Sequence, residues 1–127
     1  MPASEDFWPS DIGQSNIITP VAMMREQAAL LGDKTNQQVT ANVQSLGGAP
    51  TQLNWSFQLV SPALGNYRYE LFRVTHPLAL YPATVGWEGH PTMSIDSEEA
   101  FRVALKQILG SDQTKKIVQA LLAQAKS

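Results

Sequence analysis

The chain has 127 residues, of which 43% are hydrophobic and 16% charged, a composition typical of one soluble globular domain with its own core. Its formal net charge of -2 produces no overall field that would attract nucleic acid or an anionic membrane, so we expect neither as a partner. The lack of cysteine excludes disulfides, thiolate nucleophiles and zinc–thiolate sites, and it favours a reducing, cytoplasmic location.

Residues 1–18 are predicted to form an arm outside the folded domain, which then spans residues 19–127. Proline, glycine and serine interrupt the arm, and its acidic residues follow neither a helical nor a strand period. Phe7 and Trp8 are adjacent large aromatic side chains, which are costly to leave in water. They either dock on the domain, which the apolar area involved favours, or are presented to a partner.

The first helix is marked at both ends. Thr19 can accept the early backbone N–H groups, Pro20 suits the first helical position, and Gly32 predicts the stop. Strands are predicted to follow, and the clearest covers residues 52–59, where Leu, Trp, Phe and Leu alternate with polar residues. One face of that strand is therefore expected to be packed and the other wetted, as in an antiparallel sheet covered on one side. Residues 47–50 predict the turn before it.

Three further strands are predicted over residues 38–46, 67–75 and 78–85, so that the sheet is a meander of about four strands. Both faces of residues 67–75 mix apolar and charged side chains. A β-bulge near Leu71 and Phe72 would reconcile them, because it switches the buried face.

Two helices are predicted to complete the chain. Asp96, with Glu99 three residues later, resembles a capping box, and Ser111 can cap the last helix. The predicted fold class is α+β: an antiparallel sheet with one N-terminal and two C-terminal helices packed on one face.

The third strand is the best candidate for a binding surface, because it interleaves aromatic rings with guanidinium groups, the composition of protein–protein hot spots. The candidate binding residues, with those of the arm, are Phe7, Trp8, Tyr67, Arg68, Tyr69, Arg73 and Trp87. Two other interpretations stay open. The tyrosines and Phe72 could be core residues with Arg68 paired to Glu70 across strands, or the rings could stack on single-stranded nucleic acid, for which the basic field is missing.

The favoured function is a non-catalytic protein-binding or regulatory module of the adaptor, immunity-protein or inhibitor type, acting on another protein and using no cofactor. The chain lacks a Gly-x-Ser-x-Gly elbow and a phosphate-binding loop. A homodimer through the apolar face of the last helix is an option. One alternative is a small-molecule or peptide binder with a pocket near the loop Trp87–Pro91. Another is a metal-dependent enzyme using His76, His90 and Glu88 as ligands.

The order helix, four strands, helix, helix resembles that of RWD domains and of inactive variants of ubiquitin-conjugating enzymes. The segments that carry the resemblance are Ser61-Pro62 with Tyr67, and His76-Pro77 with Tyr81-Pro82. Without cysteine the chain cannot carry the thioester chemistry of active enzymes of that type. The resemblance therefore implies a scaffold and no activity.

Overall fold

The structure is a computed structural model that describes residues 5–49 and 51–126. Residues 1–4 of the predicted arm and Pro50 of the predicted turn lie outside the described residues. Along the chain the elements are α1 (Pro20–Lys34), β1 (Thr40–Ser45), β2 (Leu53–Ser61), a short 3₁₀ turn (Pro62–Leu64), β3 (Tyr67–His76), β4 (Ala83–Trp87), β5 (Met93–Ile95), α2 (Glu98–Leu109) and α3 (Asp112–Ala125).

The strands form one antiparallel sheet in the order in which they occur along the chain, β1 to β5. The predicted α+β fold and its three helices are confirmed, whereas the strand count was one too low. The additional strand, β5, pairs Ile95 with Ala83 of β4. Three residues are too few to show a period of two, so the sequence pattern could not reveal this strand.

The predicted bulge in β3 is confirmed. Phe57 lies opposite Phe72, but the next residue of β2, Gln58, lies opposite Glu70, so Leu71 is the extra residue. Both Leu71 and Phe72 are consequently buried. The extra residue shifts the alternation of faces by one position. Residues after the bulge therefore point to the face opposite to the one that an unbroken alternation would give them.

All three helices cover one face of the sheet and enclose the core with it. At the centre, the rings of Phe57 and Phe72 are stacked with their centroids 4.9 Å apart and their planes 12° from parallel. The helices contribute buried apolar side chains from one stripe each: Val21, Met24 and Ala28 from α1, Phe101, Leu105 and Ile108 from α2, and Leu121 from α3. The other face of the sheet is therefore the face that no helix covers.

Two predicted helix boundaries are confirmed and two are wrong. The hydroxyls of Thr19 and Ser111 accept the backbone N–H groups that the capping pattern requires. Gly32, however, lies inside α1, which continues to Lys34, because Thr35 takes the capping position. The cap of α2 is Ser97 and not Asp96. The pairing of β5 with β4 holds Ile95 in the sheet, so the helix begins one residue later than predicted.

Candidate functional site

The predicted aromatic–arginine surface is divided between two faces of the sheet. In β3 the bulge leaves Arg68 and Arg73 on the uncovered face, and it leaves Tyr69 on the helix-covered face. Trp87 is 5% exposed and belongs to the core, so it is not an accessible contact residue as predicted. Tyr67 is half exposed beside α3. These side chains therefore do not form one surface.

A polar cluster occupies the centre of the uncovered face. The hydroxyl of Ser56 donates to one carboxylate oxygen of Glu70 at 2.6 Å. Nε of Arg73 donates to both carboxylate oxygens of Glu70, at 2.8 Å and 2.9 Å. Ser56 is completely buried by this arrangement, so the expectation that its side chain is wetted was wrong. The interpretation in which Arg68 pairs with Glu70 is also wrong, since Glu70 binds Arg73 and Arg68 binds Gln58.

Other polar side chains on this face are paired across strands. Arg68 Nη1 donates to the amide oxygen of Gln58 at 3.2 Å, and the hydroxyl of Thr75 donates to the amide oxygen of Asn54 at 2.7 Å. A partner that used these groups would first have to break bonds that already satisfy them. The uncovered face is thus a weaker candidate for a binding surface than its composition suggested.

The loop after β4 is fastened to the first turn of α3. The ring of His90 stacks on Trp87 at a centroid distance of 3.7 Å, and its Nε2 lies 3.1 Å from the amide oxygen of Gln113. The amide nitrogen of Gln113 in turn donates to the backbone carbonyl of Glu88. These contacts hold the loop after β4, near which the sequence predicted a pocket, against α3.

His76 is a structural residue at the end of β3. It is 3% exposed, and its Nε2 accepts the indole N–H of Trp55 at 3.0 Å. Because an indole nitrogen only donates, Nε2 carries no proton, and Nδ1 donates to the carbonyl of Pro77 at 2.8 Å. Neither ring nitrogen is left for a metal. Within residues 5–49 and 51–126, no three His, Asp or Glu side chains lie close enough to hold one.

Two tyrosines are expected to titrate late, with a consequence for stability at alkaline pH. Burial, and then the hydrogen bond and the charge of Glu88, raise the pKa of Tyr69 above 10.0. Burial, followed by the charge of Glu98, raises the pKa of Tyr81 in the same direction. The folded state therefore favours the protonated form of both phenols. This preference contributes in full to the stability of the fold below the ordinary pKa of tyrosine, and the contribution is lost as the pH rises through the raised pKa values.

A phenolate absorbance titration of the native protein checks this expectation. Tyr69→Phe should remove a component that titrates above the ordinary value, and Glu88→Gln should move the Tyr69 component down, because it removes the nearby negative charge. An unchanged titration of Tyr69 in the Glu88→Gln protein would show that the hydroxyl, 3.2 Å from that carboxylate in the structure, is not coupled to it.

The arm carries the most exposed aromatic side chains. Phe7 is 85% and Trp8 is 72% exposed, so the prediction that they dock on their own domain was wrong. The arm is folded locally: Ile12 and Gln14 donate backbone N–H groups to the carbonyls of Pro9 and Asp11. Large exposed apolar residues also lie in this turn and after it, and the complete set in the described arm is Phe7, Trp8, Ile12, Ile17 and Ile18.

A groove of about 470 Å³ opens between the second half of α1 and the first half of α3. Its floor is the inner face of the sheet, with Phe57, Leu59 and Leu71, and its walls include Leu30, Leu31, Leu109 and Val118. Lys34 and Lys115 also line it, and no carboxylate does. Nothing in the sequence pattern marks this groove, because its members come from five separate elements.

Comparison with models of protein families, with curated protein sequences and with solved structures finds no match to this chain. The likeness to RWD domains therefore stays a likeness in the order of elements. Among the described residues, the helices are too short and too polar to cross a bilayer.

Proposed function

We propose that the chain is a non-catalytic module that binds another protein through its N-terminal arm. The observation that carries this proposal is the exposure of Phe7 and Trp8 beside three further large apolar residues of the same short segment. Exposed apolar groups that are scattered singly need no explanation, but several within one arm are typical of an interaction segment. Aromatic residues, tryptophan above all, are the side chains that most often dominate the energy of an interface.

The arm also defines the chemistry of its partner. Among residues 5–18 the charged side chains are Glu5, Asp6 and Asp11, and none is basic. A partner that fits this segment offers an apolar cleft for the aromatic rings and basic side chains around it. The uncovered face of the sheet is a weaker candidate than the arm for the binding surface, because its polar side chains already form hydrogen bonds with one another.

Affinity capture from the native host at near-physiological salt tests the proposal. Phe7→Ala/Trp8→Ala should weaken recovery of the partner at least about tenfold, since truncation of each aromatic hot spot typically costs about 2 kcal/mol of binding. Leu78→Ala is the matched control, because Leu78 is 87% exposed but lies outside the arm. Arg73→Ala separately tests the sheet surface.

Equal recovery of the partner by the wild-type chain and by Phe7→Ala/Trp8→Ala would contradict the proposed role of the arm. Loss of recovery only with Arg73→Ala would assign binding to the uncovered face of the sheet instead. The far-UV circular dichroism of each variant should match that of the wild type, because none of these side chains contributes to the core.

A further inference from the structure

We infer that the groove between α1 and α3 receives the arm of a second copy of this chain, with Phe7 and Trp8 as the inserted side chains. The inference rests on the proposed function and identifies the partner as the protein itself. Its basis is that the chain contains both halves of one interface, an exposed acidic–aromatic arm and an apolar groove with basic side chains.

The two surfaces are complementary in charge. Glu5 and Asp6 directly precede the aromatic pair, whereas Lys34 and Lys115 are exposed and are the charged residues that line the groove. Among the described residues, neither lysine has a carboxylate within ion-pair distance. Seating the aromatic pair would place the acidic side chains near these cations, an arrangement that favours encounter and fixes orientation.

The two surfaces are also matched in size and polarity. A volume of about 470 Å³ falls in the range of about 300–1,000 Å³ that is usual for sites that enclose a compact ligand. Leu30 is 42% exposed at the edge of the groove, and the floor residues are almost fully buried. An inserted ring would therefore cover the exposed wall of α1 and leave the sheet as it is.

A second copy supplies the arm more readily than the same chain does. The groove lies along the second half of α1, from Gln27 to Lys34, about 10–21 Å from Pro20 at the rise of an α-helix. Turns occupy residues 9–14, and the remaining residues 15–19 span at most about 17 Å when extended. That length reaches the near end of the groove but ends short of Lys34 at its far end, and in the single chain Phe7 and Trp8 lie in solvent.

Reciprocal exchange of arms would bury an area typical of a weak dimer. Four aromatic side chains, two from each arm, would bury about 600–1,000 Å² at 150–250 Å² for each ring. The groove walls lose a much smaller area, because the floor residues are already almost fully buried. The total therefore lies near or below about 1,200 Å², the low end for specific interfaces, which fits a weak dimer that forms only at higher concentration. Exchange between identical surfaces also closes the assembly at two chains.

Sedimentation velocity of the full chain at a series of concentrations tests the inference. We expect a monomer–dimer equilibrium that Phe7→Ala/Trp8→Ala weakens at least about tenfold and that Leu78→Ala leaves unchanged. Lys34→Glu/Lys115→Glu should weaken it as well, and adding Glu5→Lys/Asp6→Lys to that protein should restore association, because the charges are exchanged and not removed. All of these positions are exposed, so the variants should keep the wild-type far-UV circular dichroism.

Several results would overturn the inference. They are a wild-type chain that is monomeric at every concentration, a dimer that Phe7→Ala/Trp8→Ala does not weaken, and a charge exchange that fails to restore association. Burial of Trp8 in a monomer, seen as a concentration-independent blue shift of its fluorescence against Trp8→Phe, would place the arm in its own groove. A monomer whose capture of another protein still depends on Phe7 and Trp8 would refute self-association and leave the proposed function standing.

Discussion

Phe72→Ala is expected to lower the free energy of unfolding by about 3–5 kcal/mol, the usual cost of removing a phenyl ring from a packed core. Phe72 is 2% exposed and stacks on Phe57 across β2 and β3. It is also the first residue after the bulge that restores the burial pattern of β3. Its loss would leave a cavity at the point where two strands and the helical layer meet.

Urea denaturation followed by far-UV circular dichroism measures this effect. At a protein concentration low enough to keep the chain monomeric, Phe7→Ala is the matched control, because the same atoms are removed from an exposed ring and the expected change is within about 0.5 kcal/mol. Phe72→Leu should fall between the two, since it retains most of the apolar volume but no ring to stack on Phe57. A loss below about 1 kcal/mol for Phe72→Ala would contradict the position of this residue in the core.

His76→Ala is expected to cost about 2–4 kcal/mol, from the cavity that it leaves and from the unpaired indole N–H of Trp55. The imidazole is buried and uses both of its nitrogens, one to accept from the indole and one to donate to the carbonyl of Pro77. His76→Gln retains a group that can accept from Trp55, so its cost should be smaller by at least about 1 kcal/mol.

The same urea experiment compares these variants, and the ring-nitrogen chemical shifts of His76 report the tautomer directly. A proton on Nε2 would contradict the arrangement, because that nitrogen must be unprotonated to accept from Trp55. Equal stability of His76→Ala and the wild type would show that the contact between these two side chains, 3.0 Å in the structure, contributes nothing.

Most of the fold could be predicted because its signals are local. Proline and threonine at the start of α1 and serine at the start of α3 act within a single turn of helix, so their positions could be identified along the chain. The alternation of β2 and the conflict between the faces of β3 are also visible over a few residues. The conflict predicted a bulge near Leu71 and Phe72, since only an additional residue lets both of them face the core, and the strand register places it at Leu71.

The candidate site could be predicted only in its components. The composition of β3 indicated aromatic and arginine side chains, but the face on which each one lies depends on the bulge and on which face the helices cover. The sequence groups Trp87 with the binding surface only because this residue follows the third predicted strand closely along the chain. Its burial depends on pairing with Phe72 and on the stacking of His90, both of which are set by packing.

By itself, the amino-acid sequence determined the α+β class, the antiparallel meander, the flanking helices and the acidic–aromatic character of the arm. Each of these follows from residue type and spacing, which act through the backbone and through side-chain polarity over short distances. Only the tertiary structure decided that Phe7 and Trp8 stay in solvent, that the polar side chains of the uncovered face pair with one another, and that a groove with two lysines lies between α1 and α3. The reason is that exposure, pairing and a groove between elements depend on how distant segments are placed against one another, and no single segment encodes that placement.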